Sequence, residues 1–187
     1  KGSVIEMMGN KAAARSLAQE AGVPVIPGSG GPVGSVDEAV VVAREIGFPL
    51  LIKASAGGGG RGMRVVHEEA KLREALDSAS REAEAAFGDG GVYIEKYLSS
   101  VRHVEVQVFG DGQKTLHFGE RDCSTQRRHQ KLVEESPSPA LSAELREQMT
   151  AAACALGERV GYEGAGTVEF IVDAVSQKFY FIEMNTR

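Results

Sequence analysis

Two stretches in which a β-like pattern turns back on itself place the strongest constraint on the fold of this chain. His103 to Phe109 alternates polar and apolar residues, and Gly110-Asp111-Gly112 then turns the chain toward a strand predicted over 115–120. A second turn near Ser176 joins strands predicted at 166–173 and 178–185. Hairpins make antiparallel pairs, so an all-parallel doubly wound sheet is excluded. Because helical patterns alternate with these strands, the sequence predicts a mixed α+β fold in two lobes.

Composition narrows the class of protein. The chain has 187 residues, enough for one domain or two small lobes, and its 42% hydrophobic and 25% charged residues are typical of a soluble protein. The net charge of -5 does not favour binding to a polyanion. No apolar run is long enough to cross a bilayer and no signal-peptide pattern begins the chain, which predicts a cytoplasmic protein, with the mitochondrial matrix as the alternative. The two cysteines and four histidines lack the spacing of a zinc site.

Local signals predict the remaining elements. Asn10 can cap a helix that begins at Lys11 and ends at Gly22, and Ser35 can cap another that ends at Gly47. Further helices are predicted over residues 68–87 and 143–160, and strands over 49–52, 63–66 and 92–97. The polar segment 121–138 is predicted to be irregular.

The glycine-rich segment 57–62 lies between two predicted strands. It satisfies the letters of the dinucleotide-binding fingerprint, but the apolar, β-branched residues after Gly62 predict a strand where that motif requires a helix. We therefore predict a flap whose backbone N–H groups close over phosphates; the alternative is a mobile hairpin without a ligand. Lys53 ends the strand before this flap and Lys11 opens a helix, so each is either a phosphate ligand or a solvated lysine.

The last hairpin places two carboxylates together. If its turn is centred on Ser176, Glu169 lies directly opposite Glu183, with Cβ atoms roughly 5 Å apart. Asn185 and Arg187 share the face of Glu183, whereas Tyr180 and Ile182 are predicted on the apolar face. Two carboxylates and an amide are hard oxygen ligands for Mg²⁺ or Mn²⁺, and a bound cation would offset their repulsion. The alternative is a solvated sheet edge.

Residues 126–131 form a local basic cluster, Gln-Arg-Arg-His-Gln-Lys, in an acidic chain. No aromatic residue interleaves it and Glu134-Glu135 follows, so small anions fit it better than nucleic acid.

Taken together, these motifs resemble one family, the ATP-grasp domain of biotin carboxylases. The resemblance extends over nearly the whole chain, with the motifs in family order: 53–63 (KASAGGGGRGM), 95–98 (EKYL), 102–105 (RHVE), 120–124 (ERDCS), 126–131 (QRRHQK) and 183–187 (EMNTR). It implies an ATP-grasp fold with a glycine-rich lid at about 54–95 and a truncated C-terminal lobe at 96–187. The endings at 133–137 and 184–187 look more like acyl-CoA carboxylases than pyruvate carboxylase.

The resemblance also implies residue roles. Contacts to ATP would come from Lys11, Lys53, Gly59, Gly60, Met63, Glu95, Lys96, Leu98, His103, Gln126, His129 and Ile171, together with Glu169 and Glu183 through their metals. Glu169, Glu183 and Asn185 would hold two Mg²⁺ or Mn²⁺ ions. Lys131 and Arg187 would belong to the bicarbonate and biotin site, with Arg187 in a catalytic role.

The implied activity is that of an ATP-dependent ligase, which carboxylates biotin on a carrier domain with bicarbonate through carboxyphosphate. A carboxyltransferase and an oligomeric parent enzyme would be partners, with no nucleic acid or membrane. The family's N-terminal domain and the segment after Arg187 are missing from the sequence, so we expect an ATP-binding fragment that is inactive or weakly active alone. The alternatives are another ATP-grasp carboxylate ligase and a non-catalytic nucleotide-binding module.

Overall fold

A computed structural model describes residues 2–55, 63–127 and 130–187, apart from the side chains of Lys11 and Ala12. The chain divides into two compact units, one formed by residues 26–98 and the other by the residues up to Val25 together with Ser99–Arg187. Each unit has its own hydrophobic core. The predicted α+β fold in two lobes is confirmed, whereas the subdomain boundaries at 54–95 and 96–187 remain predictions.

The described elements alternate between helices and strands. In chain order they are α1 (Gly2–Gly9), α2 (Lys11–Glu20), α3 (Val36–Ile46), β1 (Leu50–Ala54), β2 (Arg64–Val66), a 3₁₀ turn (Glu69–Lys71), α4 (Leu72–Phe87), β3 (Val92–Lys96), β4 (Val101–Asp111), β5 (Thr115–Arg127), β6 (Gln130–Glu135), α5 (Ala143–Arg159), β7 (Glu163–Asp173) and β8 (Lys178–Thr186).

The predicted helix caps are present. The Asn10 side chain accepts a hydrogen bond from the Ala13 N–H at 3.1 Å, and the Ser35 hydroxyl accepts one from the Glu38 N–H at 3.1 Å. The Glu38 carboxylate completes the second cap by accepting from the Gly34 N–H at 2.7 Å. Each cap satisfies backbone donors that the first helical turn leaves without a partner, which is why the helices begin where the sequence predicts.

The unit of residues 26–98 is a three-stranded antiparallel sheet in the order β2-β1-β3, packed against α3 and α4. Its core includes the fully buried Leu50, Ile52 and Ile94. Strand β2 pairs antiparallel with β1, so a strand and not a helix follows the glycine-rich segment. This confirms the predicted strand at the place where a dinucleotide-binding motif requires a helix. Residues 56–62 lie outside the described residues, and the lid function remains a prediction.

The other unit is a five-stranded antiparallel sheet in the order β6-β5-β4-β7-β8. Helices α1, α2 and α5 pack on the sheet, where the buried apolar residues of β4, β7 and β8 alternate with polar ones. Phe170 is fully buried and meets Phe179 edge to face, with ring centroids 5.4 Å apart. Truncating Phe170 to alanine would cost about 4 kcal/mol of stability. The polar residues that alternate with this core point to the opposite face of the sheet.

Two sequence predictions need correction, and one helix was missed. Residues 121–127 and 130–135 are not irregular, because they belong to β5 and β6, which pair with each other. The polar pattern hid these strands, since one of their faces is polar and β6 is an exposed edge. Helix α1 was not predicted. Tyr180 and Ile182 do not belong to the buried apolar face of β8, which is formed by Phe179, Phe181 and Met184.

None of the helices among the described residues has the length and apolar character that crossing a membrane requires.

Candidate active site

Four charged residues form a row across the polar face of the five-stranded sheet. Arg121 on β5 pairs with Glu105 on β4, Glu105 pairs with Glu169 on β7, and Glu169 pairs with Glu183 on β8. Three carboxylates therefore occupy neighbouring strands at the same level of the sheet. Directly opposed like charges destabilise a sheet, so this row requires cations to hold it.

Lys131, on β6, supplies one of those cations. Its ammonium group donates to Glu105 Oε2 and to Glu169 Oε1, the latter at 3.0 Å, and thus bridges the two carboxylates. Arg121 donates from Nε and Nη2 to Glu105 Oε1 at 2.8 and 2.6 Å. Burial alone would lower the pKa of Lys131, but the hydrogen bonds to both glutamates outweigh it and raise that pKa. Lys131 is therefore held as a cation.

His103 and Gln126 hold the other oxygen of Glu169. His103 Nε2 lies 2.6 Å from Glu169 Oε2, and Gln126 Nε2 lies 2.7 Å from both His103 Nδ1 and the Cys123 carbonyl oxygen. The Gln126 amide group thus donates to Nδ1, which selects the tautomer with its proton on Nε2, facing Glu169. Burial by itself would raise the pKa of Glu169. The hydrogen bonds from His103 and Lys131 have the larger, opposite effect and lower that pKa to about 2. Glu169 is an anion at neutral pH.

Glu183 and Asn185 complete the predicted metal-ligand set. Asn185 lies opposite Thr167 and donates its amide N–H to Glu169 Oε1 at 2.7 Å. Within the described part of the chain, the Glu183 carboxylate has no ion pair. The set thus offers two carboxylates on adjacent strands with an amide beside them, which fits the hard oxygen ligands that Mg²⁺ or Mn²⁺ requires. The ammonium group of Lys131, which contacts Glu169, shows that a positive charge is already stabilised beside these ligands.

These groups line a cavity of about 580 Å³ on the polar face. Both predicted bicarbonate-site residues, Lys131 and Arg187, contribute to its wall. Its full lining is Glu105, Gln107, Arg121, Lys131, Glu134, Ala165, Gly166, Thr167, Glu169, Glu183, Asn185 and Arg187. The structure therefore brings the predicted metal ligands and the predicted anion-binding residues into one cavity of a single unit.

The pairing of Glu169 with Glu183 is confirmed, but it arises differently from the sequence argument. Near the turn, Asp173 pairs with Lys178 and Phe170 with Phe181, one residue tighter than a turn centred on Ser176 would give. A β-bulge between these pairs and Glu169 adds the missing residue to β8. The bulge also exchanges the faces of β8, which explains why Ile182 is 36% exposed and Met184 buried.

Unit 26–98 holds a second set of predicted nucleotide residues. Lys53 Nζ lies 2.6 Å from the buried Glu95 carboxylate and 6.0 Å from the centroid of the Tyr93 ring. Lys96 donates to the carbonyl oxygens of Gly47 and Phe48 at 3.1 and 2.9 Å, at the end of α3. Neither lysine is a freely solvated surface group in this unit.

The remaining predicted nucleotide residues are spread over both units. Met63, just before β2, is 45% exposed, while Leu98 and Ile171 are half-buried, Ile171 on the same strand face as Glu169. Gly59, Gly60 and His129 lie outside the described residues, and of Lys11 only the backbone, at the start of α2, is described. Their roles remain predictions.

Sequence reasoning did not assign four cavity residues with charged or amide side chains, Glu105, Gln107, Arg121 and Glu134, nor the small residues of 165–167. A signal for two of them was present. In the alternating stretch from His103 to Phe109, the apolar residues mark the buried face, so His103, Glu105 and Gln107 must share the opposite one. Arg121 and Glu134 gave no such signal, because Arg121 lies just beyond the strand predicted over 115–120 and Glu134 lies on β6, which was not predicted.

Glu105, Cys123 and Glu134 also bring three potential ligand atoms within 4.8 Å of one another. Burial raises the pKa of the Cys123 thiol to about 11, so its sulfur is protonated at neutral pH and is a poor ligand in that form. Arg121 and Lys131 already neutralise Glu105. This group therefore fits a metal less well than Glu169, Glu183 and Asn185.

Comparison with known proteins finds close similarity to one family. Residues 10–187 match the family model described as carbamoyl-phosphate synthase L chain, ATP binding domain. Biotin carboxylase 1 of Bacillus subtilis is 56% identical over 184 residues, which are 98% of this chain and 41% of the relative. One of the subunits of the pyruvate carboxylase of Methanothermobacter thermautotrophicus is 55% identical over 188 residues, which are 100% of this chain and 38% of that protein.

A solved structure is also similar. The biotin carboxylase domain dimer of Hydrogenobacter thermophilus 2-oxoglutarate carboxylase, in complex with MgADP, ADP and bicarbonate, superposes with a TM-score of 0.81 at 49% identity, covering 99% of this chain and 41% of that one. The chain thus spans about two fifths of the length of the proteins that it matches.

Proposed function

Because the chain belongs to the carbamoyl-phosphate synthase L chain ATP-binding domain family, we propose that it binds ATP with a divalent metal and serves ATP-dependent carboxylation of biotin in its parent protein. The single observation that carries this proposal is the carboxylate row with Lys131 bridging Glu105 and Glu169. It combines hard oxygen ligands with an anion-binding lysine in one cavity. The relatives named biotin carboxylase support the choice of biotin as the carboxylated substrate.

The residues divide the chemical work as follows. Glu169, Glu183 and Asn185 would hold the metal, which would supply positive charge against the phosphates of ATP. Lys131 and Arg187 attract bicarbonate to the same cavity. They balance the negative charge that develops as a bicarbonate oxygen attacks the γ-phosphorus and the bond to the β,γ-bridging oxygen breaks, which gives carboxyphosphate and ADP. Lys53, which is paired with Glu95 in the unit of residues 26–98, is the proposed phosphate ligand of that unit. His103 keeps Glu169 oriented as a carboxylate.

We further propose that the final acceptor of the carboxyl group is an acyl-CoA. The sequence of residues 133–137 and 184–187 supports this choice, while relatives named for pyruvate and 2-oxoglutarate supply the competing acceptors. The parent protein would act with a biotin carrier domain and a carboxyltransferase, as an oligomer, in the cytoplasm or the mitochondrial matrix. Supplying the parent enzyme with acyl-CoA thioesters, pyruvate and 2-oxoglutarate in turn decides among these acceptors. Carboxylation of a keto acid and of no acyl-CoA would contradict the acyl-CoA proposal.

Calorimetric titration of the chain with ATP, with and without Mg²⁺, tests the binding proposal. We expect metal-dependent binding that the double variant Glu169→Gln, Glu183→Gln loses. Glu20→Gln, in an exposed ion pair with Arg159, is the matched control and should bind as the unmodified chain does. Metal-independent binding, or binding that survives in the double variant, would contradict the assignment of these ligands.

Turnover in the parent protein separates this function from other ATP-grasp activities. We expect ATP hydrolysis that depends on bicarbonate and rises with biotin. Hydrolysis that responds instead to an amino acid or another carboxylate would indicate a different ligase, and metal-dependent binding with no turnover would indicate a nucleotide-binding module.

A further inference from the structure

Tyr162 connects the buried side of the sheet to the end of β8. Its side chain is buried, and its hydroxyl donates to the Ala165 carbonyl oxygen at 2.8 Å. The same hydroxyl accepts a hydrogen bond from the backbone N–H of Arg187 at 3.1 Å. One phenol oxygen thus joins the backbones of two different strands.

The Tyr162 hydroxyl oxygen lies at the last residue pair between β7 and β8. The last pair of the β7–β8 ladder is Gly166 with Thr186, and Ala165 and Arg187 are the next residues beyond it. There the tyrosine hydroxyl lies between the N–H of Arg187 and the carbonyl of Ala165, in place of a direct bond between the strands. This contact is therefore a direct restraint on the position of the Arg187 backbone.

The surroundings of Tyr162 are shaped to hold it. Its N–H donates to the Gly157 carbonyl at 2.9 Å, and its carbonyl accepts from the Gly112 N–H at 2.9 Å. A Cβ atom at Gly166 would lie 2.7 Å from the phenol oxygen, and one at Gly110 would lie 2.2 Å from the Tyr162 carbonyl oxygen. Two neighbouring positions are therefore closed to any larger residue, and the phenol has little freedom to move.

We propose that Tyr162 is a positioning residue for Arg187. Arg187 lines the cavity that also contains Lys131 and Glu169, so a displacement of its backbone moves the guanidinium group relative to both. Tyr162 itself is not in contact with the cavity and acts only through the Arg187 backbone. The inference rests on the proposed function, which gives Arg187 its role toward bicarbonate and biotin.

The test is Tyr162→Phe in the full-length parent protein, which removes one oxygen and keeps the ring. We expect kcat for bicarbonate-dependent ATP hydrolysis to fall about tenfold, the size of effect that a lost positioning hydrogen bond produces. The KM for ATP should not change, because the contacts that hold Glu169 and Lys53 do not involve Tyr162. Amide hydrogen exchange of Arg187 should accelerate about tenfold as well.

Tyr180→Phe is the matched control, since it removes a phenol oxygen from β8 itself and no hydrogen bond of that oxygen occurs among the described residues. It should leave both kcat and the exchange rate of Arg187 unchanged. If Tyr162→Phe does not fold, difluorotyrosine at position 162 keeps the ring and weakens the hydroxyl as an acceptor. That variant should give a smaller loss of kcat in the same direction, with the KM for ATP unchanged.

The outcomes separate this inference from the proposed function. If the unmodified protein shows no bicarbonate-dependent hydrolysis, the proposed function fails and the inference fails with it. If the unmodified protein is active and Tyr162→Phe keeps its kcat while Arg187 exchanges faster, the function stands and the positioning role is overturned. A rise in the KM for ATP as large as the fall in kcat would also overturn the positioning role, since it would indicate general disruption of the sheet.

Discussion

The two faces of the five-stranded sheet both bury carboxylates, but they hold them with different groups. On the face toward α5, Glu120 accepts from Arg146 Nε at 2.7 Å and from the Ser138 N–H at 3.1 Å. Asp122 on the same face accepts from the Ser138 hydroxyl and the Ser124 N–H, both at 3.0 Å. Burial raises the pKa of Glu120 and Asp122, yet these hydrogen bonds lower it more.

On the cavity face, two long cationic side chains hold Glu105, and one of them also holds Glu169 together with His103 and Asn185. Lys131 reaches both from the edge strand β6, and Arg121 reaches Glu105. Lys131 reaches in from the exposed edge strand β6 and can leave its partners when a metal ion replaces it, whereas the Ser138 N–H that Glu120 accepts is fixed in the backbone. The first face therefore uses its carboxylates for structure, and the second leaves them available for a ligand.

Breaking a pair on the structural face should have the largest effect on stability. Arg146→Ala leaves Glu120, which is 3% exposed, without its cation. We expect a loss of about 4 kcal/mol in the free energy of unfolding, measured by urea denaturation, because a buried charge loses its partner. The control Arg159→Ala breaks an exposed pair with Glu20 and should cost less than about 1 kcal/mol. Equal losses of unfolding free energy in the two variants would show that the buried pair stabilises the fold no more than the exposed pair does.

The depressed pKa of Glu169 predicts how stability depends on pH. A carboxyl group that ionises at about 2 when folded and at its ordinary 4.5 when unfolded stabilises the fold above pH 4.5 and loses this contribution as the pH falls toward 2. The difference corresponds to about 3 kcal/mol. Glu169→Gln should lack this part of the acid destabilisation, measured by urea denaturation of both proteins between pH 5 and 2. Parallel pH profiles would show that the Glu169 pKa is not depressed.

Removing the bridging lysine should affect binding more than folding. Lys131→Met takes away a positive charge beside Glu105 and Glu169, so we expect Mn²⁺ to bind about tenfold more tightly. Titration followed by the paramagnetic signal of free Mn²⁺ measures this. Ser138→Ala, which weakens the structural face only, should bind Mn²⁺ with unchanged affinity. Weaker binding in Lys131→Met would mean that the lysine supports the metal site and does not compete with it.

The sequence predicted the candidate site unevenly. Glu169, Glu183 and Asn185 were predicted from one hairpin, because their relation depends on a short turn and on period-two alternation. The turn is one residue tighter than assumed and a bulge compensates, so the pair was correct while the side of Ile182 was not. Bulges depend on packing against the core, which local sequence does not encode.

Glu105 and Arg121 could not be placed in the same way. Glu105 meets Glu169 because β4 lies between β5 and β7, a neighbour relation between strands that are more than 50 residues apart in the chain. Sequence reasoning found the alternation of β4 but had no means of pairing it with β7. It also treated 121–138 as irregular, which hid the strand that carries Arg121.

The sequence by itself determined the local features of this protein: the caps at Asn10 and Ser35, the strands on either side of the glycine-rich segment, the last hairpin, and the motifs that resemble biotin carboxylases. Each depends on residues close together in the chain, where propensity, capping and alternation act directly. Tertiary structure alone decided that Lys131 bridges Glu105 and Glu169 and that Tyr162 holds the Arg187 backbone. These contacts join distant segments, and the packing of the whole sheet determines which segments meet.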